Sequence, residues 1–369
     1  MIRYSIMRVW LLSVMFVLGI LIPTNYSTAH TLSPKAVSYF TAEKPIIQTD
    51  ATSSQATNTD PRNYSRTLST FPEWYIVYSA QEYSDFTARG GRPSQFPYFA
   101  AIQQYWDALD AIKISLDGTE IDPESLSVLQ VIGISFTIEY GIIGAYEKTI
   151  GLAFELLNFN KKTTEDYTTD SIAEQYSDSL LQTPWYDFSY HQAVGTLWKS
   201  WGWSSLSPRG LERRIIFTLG YHLKGAYASL LGKVAEANFG YVGYTTSIIT
   251  QNIDTATLAS IPAITSVEAT TTGVTALAPR YRAFTDTVKQ VVAAGGTIID
   301  IQGNSEILLS FVTAQNNSCA LPGQTIFSLP VLTNTKEARI GQLISVTELD
   351  LTLKQLSDCN IAVEHIYDY

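Results

Sequence analysis

The chain has 369 residues, 46% of them hydrophobic and only 16% charged, with a formal net charge of −10. That apolar content excludes a disordered chain and allows about two domains. The acidic balance excludes a nucleic-acid partner, because no basic stripe is present to neutralise phosphates.

The first element is an apolar run from Val9 to Ile22 behind Arg3 and Arg8, with small residues at Ser27, Thr28 and Ala29. Residues 1–29 therefore read as a signal peptide or a membrane anchor, and either one sends the rest of the chain out of the cytoplasm. Residues 30–66 are rich in Thr, Ser, Asn, Asp and Pro without a period, the composition of a flexible linker. Asn63-Tyr64-Ser65 matches a glycosylation acceptor.

Structure is expected from residue 67. Thr70 with Glu73 and Ser79 with Glu82 have capping-box spacing, which predicts two short helices closed by Gly90-Gly91. A third follows Ser94, with Phe99, Ile102, Tyr105, Trp106 and Leu109 at helical spacing. Asp122-Pro123-Glu124 opens a long helix to about Leu157, read as a buried core helix. After a polar loop, a shorter helix begins near Ser171, and Ser207-Pro208 opens a second long helix to about Asn238. Between them, Trp185, Tyr186, Trp198, Trp201 and Trp203, with Lys199, have the make-up of an interfacial aromatic belt. Residues 67–244 thus form an expected helical domain.

From 245 the pattern turns to strands. Val274–Leu277, TIIDIQG, EILLSFVTA, TIFSLPVL, ARIGQLISV and IAVEHIYDY read as strands, with helices at APRYRAFTDTVKQVVAAGG and LDLTLKQLSD. TIIDIQG and EILLSFVTA, flanking Asn304-Ser305, read as a hairpin. The fold class is therefore α+β: an all-helical domain, then a ferredoxin-like α/β sandwich with an inserted hairpin over 245–369.

One helix is written twice. Residues 136–151 read FTIEYGIIGAYEKTIG and residues 217–232 read FTLGYHLKGAYASLLG, with seven of sixteen positions identical. Five of those identities fall on one helical stripe that carries two glycines per copy. Glycine in a helix costs about 1 kcal/mol against alanine, so the stripe suggests two helices packed backbone to backbone. With Gly144 set against Gly225 in an antiparallel pair, Glu147 meets His222 with Lys224 beside it. Tyr140 and Tyr221 then flank the seam, and Glu139 pairs with Arg213 or Arg214. A carboxylate in an apolar seam needs such partners.

His30, His191, His222 and His365 have no metal-ligand spacing, and no nucleophile elbow, phosphate loop or calcium loop is present. No cofactor is expected. Glu73 and Glu82 beside Trp74, Tyr75 and Tyr83 read as caps next to core aromatics. Cys319 and Cys359 are the two cysteines, a candidate disulfide in an oxidising compartment.

The functional expectation is an exported, membrane-associated binding or scaffold protein of the cell envelope. It would be periplasmic or anchored to the inner membrane, with a membrane surface or an envelope protein as partner. Two alternatives stand beside it: an enzyme or small-molecule binder using the Glu147–His222–Lys224 seam, and a sensor that binds a ligand on its C-terminal sheet near His365.

Overall fold

The computed structural model describes residues 65–116, 123–199, 207–239, 245–317 and 319–368. The expected signal or anchor at 1–29, the linker, the glycosylation motif, Trp201 and Trp203 lie outside them. The described residues fall within one compact unit, Thr59–Tyr369.

A short helix α1 (Ser65–Ser69) leads directly into α2 (Phe71–Ala88), one helix where two were expected. Thr70 is itself helical, and its hydroxyl donates to Thr67 O (2.6 Å) instead of capping. Ser79 and Glu82 sit inside the same helix. Next come α3 (Tyr98–Ser115), α4 (Pro123–Tyr146), a π-helical turn at Glu147–Gly151, and α5 (Leu152–Leu157). α6 (Thr164–Leu180) starts earlier than the apolar periodicity suggests. There a true capping box forms, with Asp166 N donating to Thr163 Oγ1 and Thr163 N to Asp166 Oδ2. α7 (Tyr190–Lys199) and the long α8 (Pro208–Phe239) complete the helical segment.

The repeated sixteen residues are the end of a larger duplication: α2-α3-α4 recurs as α6-α7-α8. Ala80-Gln81-Glu82-Tyr83-Ser84-Asp85 answers to Ala173-Glu174-Gln175-Tyr176-Ser177-Asp178. Each copy then has a 3-10 turn, Pro93–Gln95 and Trp185–Asp187. The ring contacts repeat too. Tyr83 meets Phe96 edge-on at 5.1 Å and Tyr176 meets Phe188 at 5.0 Å, while Phe96–Tyr98 and Phe188–Tyr190 lie at 4.9 and 5.0 Å. Trp106 Nε1 donates to Thr137 Oγ1 (3.0 Å), and Trp198 Nε1 donates to Thr218 Oγ1 (2.9 Å). Thr137 and Thr218 hold the same place in the repeated helix.

The C-terminal segment forms two four-stranded antiparallel sheets. The first holds β1 (Thr245–Gln251), β2 (Thr265–Ala269), β3 (Val274–Pro279) and β4 (Thr297–Ile301), in the order β2-β3-β1-β4. The short α9 (Thr255–Ala259) joins β1 to β2, and α10 (Arg282–Ala293) joins β3 to β4. The second holds β5 (Glu306–Ala314), β6 (Gln324–Val331), β7 (Asn334–Ser345) and β8 (Val363–Ile366), in the order β6-β7-β5-β8, with α11 (Leu349–Asp358) before β8.

These two sheets also match strand for strand. Ile248 faces Ile301 and Leu309 faces Ile366, and in both sheets the register slips one residue further on, at Ile249/Thr250 and at Ser310/Phe311. Thr287, Lys289 and Gln290 of α10 answer to Thr352, Lys354 and Gln355 of α11. Both helices are followed by a left-handed residue, Gly295 (φ 86°) and Asn360 (φ 56°). In the second unit, residues 315–323 stand where the first has α9. Cys319 in that stretch is bonded to Cys359 at the end of α11 (Cα–Cα 6.2 Å).

The expected single sheet with an inserted hairpin is thus divided in two. TIIDI and EILLSFVTA do not form a hairpin, because β5 already lies between β7 and β8 while β4 closes the edge of the other sheet. The supposed insertion, β6-β7, is the counterpart of β2-β3. β1 escapes an apolar scan because two of its three buried residues, Thr246 and Thr250, are threonines flanking Ile248.

Helical and strand segments share a core. Ile307, Leu309 and Ile344 point to the side holding α10 and α11. Leu308, Leu343, Phe327 and Leu329 point to the other, against Phe71, Tyr75 and Tyr105. β5 is buried on both faces, which is why it reads as an apolar run without alternation, interrupted only by Ser310, whose hydroxyl meets that of Tyr78 (3.0 Å).

Candidate functional site

The repeated helices α4 and α8 lie side by side and antiparallel. Glu139 pairs with Lys224, Tyr146 donates to Glu212, and Glu147 pairs with Arg213, so partners descend one helix as they ascend the other. The glycines do not face each other. Gly144 is covered by Tyr98 and Gly225 by Tyr190, the equivalent tyrosines of the preceding helices. With aromatic rings filling both glycine notches, the pair slides roughly two turns from the expected register.

The slide exchanges the partners. Glu139, expected near Arg213 or Arg214, takes Lys224 in a half-exposed pair. Glu147, expected near His222 and Lys224, takes Arg213 through two bonds (2.8 and 3.1 Å). His222 is on the exposed side of α8, with Nδ1 2.8 Å from Thr218 O. Tyr140 accepts from Ser79 (3.1 Å) and packs on Phe136 at 4.2 Å. Tyr221 packs on Phe217 at 5.6 Å and near Tyr190. The expected Glu147–His222–Lys224 cluster is therefore dispersed.

In its place is a larger buried network that the sequence did not announce. Arg209, Arg213 and Arg214, in the first turns of α8, are each at most 1% exposed. Arg209 binds Asp166 (2.9 Å), Glu212 (3.1 Å), Glu155 (3.5 Å) and Gly151 O (3.2 Å). Arg213 binds Glu147 and Glu212, and Arg214 binds Glu165 (2.8 Å) and Leu197 O (2.8 Å). Two glycines make room: a Cβ at Gly151 would come within 2.3 Å of Glu147 Oε2, and one at Gly210 within 2.6 Å of Glu165 Oε2. Burial pushes the Glu147 carboxyl up despite Arg213. Five carboxylates surround three buried guanidiniums, each guanidinium held by at least one of them. This is the chemistry of a lock between the two helical copies.

No protein family, curated protein or solved structure matches this chain.

A second polar centre lies under α2. Arg339 of β7 grips Glu364 with Nε and Nη2 (2.8 and 2.9 Å) and Glu82 with Nη1 (2.9 Å). Its guanidinium lies 4.3 Å over the Tyr78 ring. Glu82 also accepts from Leu332 N (3.2 Å), and burial pushes its carboxyl up against the pull of Arg339. Above this floor opens a cavity of about 280 Å³ between α2 and the second sheet. His365 lies apart from it, sealed beneath Trp74 (ring centroids 3.6 Å), with Nδ1 3.2 Å from the Thr285 hydroxyl. The sheet face near His365, expected to receive a ligand, is thus occupied by the helical segment. Among the described residues no group of histidine, cysteine and carboxylate side chains could hold a metal ion.

A third feature is apolar. Leu211, Ile215, Leu219 and Leu223, four residues apart on α8, are 42–62% exposed, and Ile134, the equivalent of Ile215, is 49% exposed on α4. Two antiparallel helices related by an approximate two-fold axis present equivalent residues on the same side. Ile150, Leu156 and Leu157 extend the surface beyond α4. The stretch Leu129–Leu157 is long and apolar enough to cross a membrane, and only 22% of its most apolar window is buried. The expected core helix is thus only partly buried: Leu129 and Phe136 reach the interior, while Ile134 stays on the outer face. Of the residues expected in an aromatic belt, Trp185 stacks on Tyr227 at 5.4 Å, whereas Trp198 is 40% exposed, with its Nε1 donating to Thr218 Oγ1.

Proposed function

We propose that this chain is an exported, membrane-associated binding module of the cell envelope. Residues 1–29 deliver or tether it, residues 30–66 give it reach, and the compact part rests on lipid through the outer face of α4 and α8. The observation that carries this reading is the exposed apolar face of the duplicated helices, with Leu211, Ile215, Leu219 and Leu223 in one line on α8. An exposed apolar patch of this kind marks an interaction surface, and the apolar run at the N-terminus favours lipid as its occupant. The Cys319–Cys359 bond suits an oxidising compartment. We read each sheet with its helices as one ferredoxin-like split βαβ unit, the second lacking its first helix.

Flotation of the chain lacking residues 1–29 with phosphatidylethanolamine–phosphatidylcholine vesicles tests the lipid contact. The protein is expected to float, and Leu219→Glu/Leu223→Glu to remain at the bottom of the gradient with its circular dichroism unchanged. Failure of the unsubstituted chain to float, or its elution as a dimer that the double variant splits, would assign the face to something other than lipid.

A further inference from the structure

The cavity beneath α2 carries charges that the fold itself does not use. Four carboxylates and three guanidiniums line it. Arg339 is consumed by Glu82 and Glu364, which leaves Asp85, Glu337, Arg89 and Arg282 facing the space. Among the described residues, the side chains of Asp85, Glu337 and Arg282 make no hydrogen bond or ion pair, and Arg89 has only a long contact to Thr333 (3.5 Å). Asp85 follows Glu82 by three positions on the same face of α2. Glu337 precedes Arg339 by two on the same face of β7. Arg282 opens α10 and projects from a third element. Three elements thus bring free charges of both signs to one small concavity.

The size and signs restrict what fits. At about 280 Å³ the cavity lies just below the range for small-molecule sites, about 300–1,000 Å³, and suits only a small ligand. A dicarboxylate would meet Asp85 and Glu337 with like charge, and a simple diamine would leave Arg282 unanswered. Glu82 and Glu364 already hold Arg339, and Arg89 leans on Thr333, so two carboxylates, Asp85 and Glu337, stand against the one guanidinium of Arg282, and the lining favours a ligand with more positive than negative charge. We propose that this cavity binds a free basic amino acid, its carboxylate on Arg282 and its ammonium groups on Asp85 and Glu337.

Isothermal titration of the full chain with L-lysine tests this. Cadaverine, which lacks the carboxylate, and Nα,Nε-diacetyl-lysine, which lacks the ammonium groups, serve as controls. Saturable binding of L-lysine is expected, with cadaverine roughly ten-fold weaker and the diacetyl compound silent, since each charge-assisted hydrogen bond is worth about ten-fold or more. Arg282→Ala should weaken L-lysine to about the level of cadaverine without weakening cadaverine, which loses only a like charge. Asp85→Asn/Glu337→Gln should weaken both. Asp85 and Arg282 are exposed and Glu337 is half-buried, so both variants are expected to fold, which unchanged circular dichroism verifies. Absence of saturable L-lysine binding, binding of succinate in its place, or L-lysine affinity untouched by these variants would overturn the proposal.

Discussion

Arg213→Met is the sharpest test of the ionic lock. Arg213 is fully buried and makes four bonds, two to Glu147 and two to Glu212 (2.6–3.1 Å). Met keeps most of the aliphatic volume and removes the charge. Glu212 retains Arg209 (3.1 Å) and Tyr146, whereas Glu147 loses its two hydrogen bonds inside a dry seam. Removing one partner of a buried pair costs about 3–5 kcal/mol, chiefly through the charge left behind. Glu147→Gln should cost far less, about 1 kcal/mol, because Arg213 still has Glu212 and because burial already disfavours the ionised Glu147. The double variant Arg213→Met/Glu147→Gln should then be more stable than Arg213→Met alone by about 1–2 kcal/mol, within the range of coupling energies for residues in contact. Urea unfolding followed by tryptophan fluorescence reads all three. If Arg213→Met lies within about 1 kcal/mol of the unsubstituted chain, or if the two single changes simply add, the network is not the lock between the helical copies.

Opening the Cys319–Cys359 bond as a double serine variant frees a loop of forty residues, which the chain-entropy relation values at about 4 kcal/mol. The loss should appear as faster amide exchange in α11 and β8, and unchanged exchange there would refute a stabilising role. His365 is held neutral by burial, with Arg282 and Lys289 adding to the effect, and its pKa is pushed down to about 3. Its folded pKa lies below its unfolded value, so its share of stability is present above pH 6.5 and falls as the unfolded chain takes up the proton, by about 2 kcal/mol at pH 5. His365→Phe should flatten that part of the urea-midpoint profile, and an identical slope in the variant would rule the residue out.

The repeated helix was legible, and so were its antiparallel pairing and the inward turn of Glu147. Its register was not. Glycine on a helix tells that something comes close without telling what, and here tyrosines from the neighbouring helices take the place expected of a second backbone. The buried arginines had no local signal. Arg209, Arg213 and Arg214 read as the charged start of a helix, and their carboxylates come from positions 147, 155, 165 and 166, on three other pieces of chain. The strands β5 to β8 were legible from apolar runs, but the division into two sheets was hidden. A short turn between two strands looks the same whether they pair with each other or with strands elsewhere. The signals that could have found both duplications were present: AQEYSD against AEQYSD, and Thr-x-Lys-Gln in α10 against Thr-x-Lys-Gln in α11.

Because the helical copies share one plan, the place where they differ shows how the lock was fitted into it. Gly133 on α4 makes room for Tyr105 of α3, whose ring would come within 2.4 Å of a Cβ there and whose hydroxyl donates to Leu129 O (2.8 Å). In the second copy the equivalent of Tyr105 is the shorter Leu197, and the equivalent of Gly133 is Arg214, whose guanidinium fills the space and donates to Leu197 O (2.8 Å). Bulk has moved from one helix to its neighbour, and a charge has come with it, answered by Glu165. Arg214→Gly alone should be severe, about 3–5 kcal/mol, since it strands a buried carboxylate and opens a cavity. Adding Leu197→Tyr and Glu165→Gln restores the bulk and removes the charge, as in the first copy. The triple variant should therefore recover about 2 kcal/mol or more over Arg214→Gly, read from urea midpoints. A triple variant no more stable than the single one would mean that the two copies, alike in their ring contacts and tryptophan hydrogen bonds, are not interchangeable in their packing.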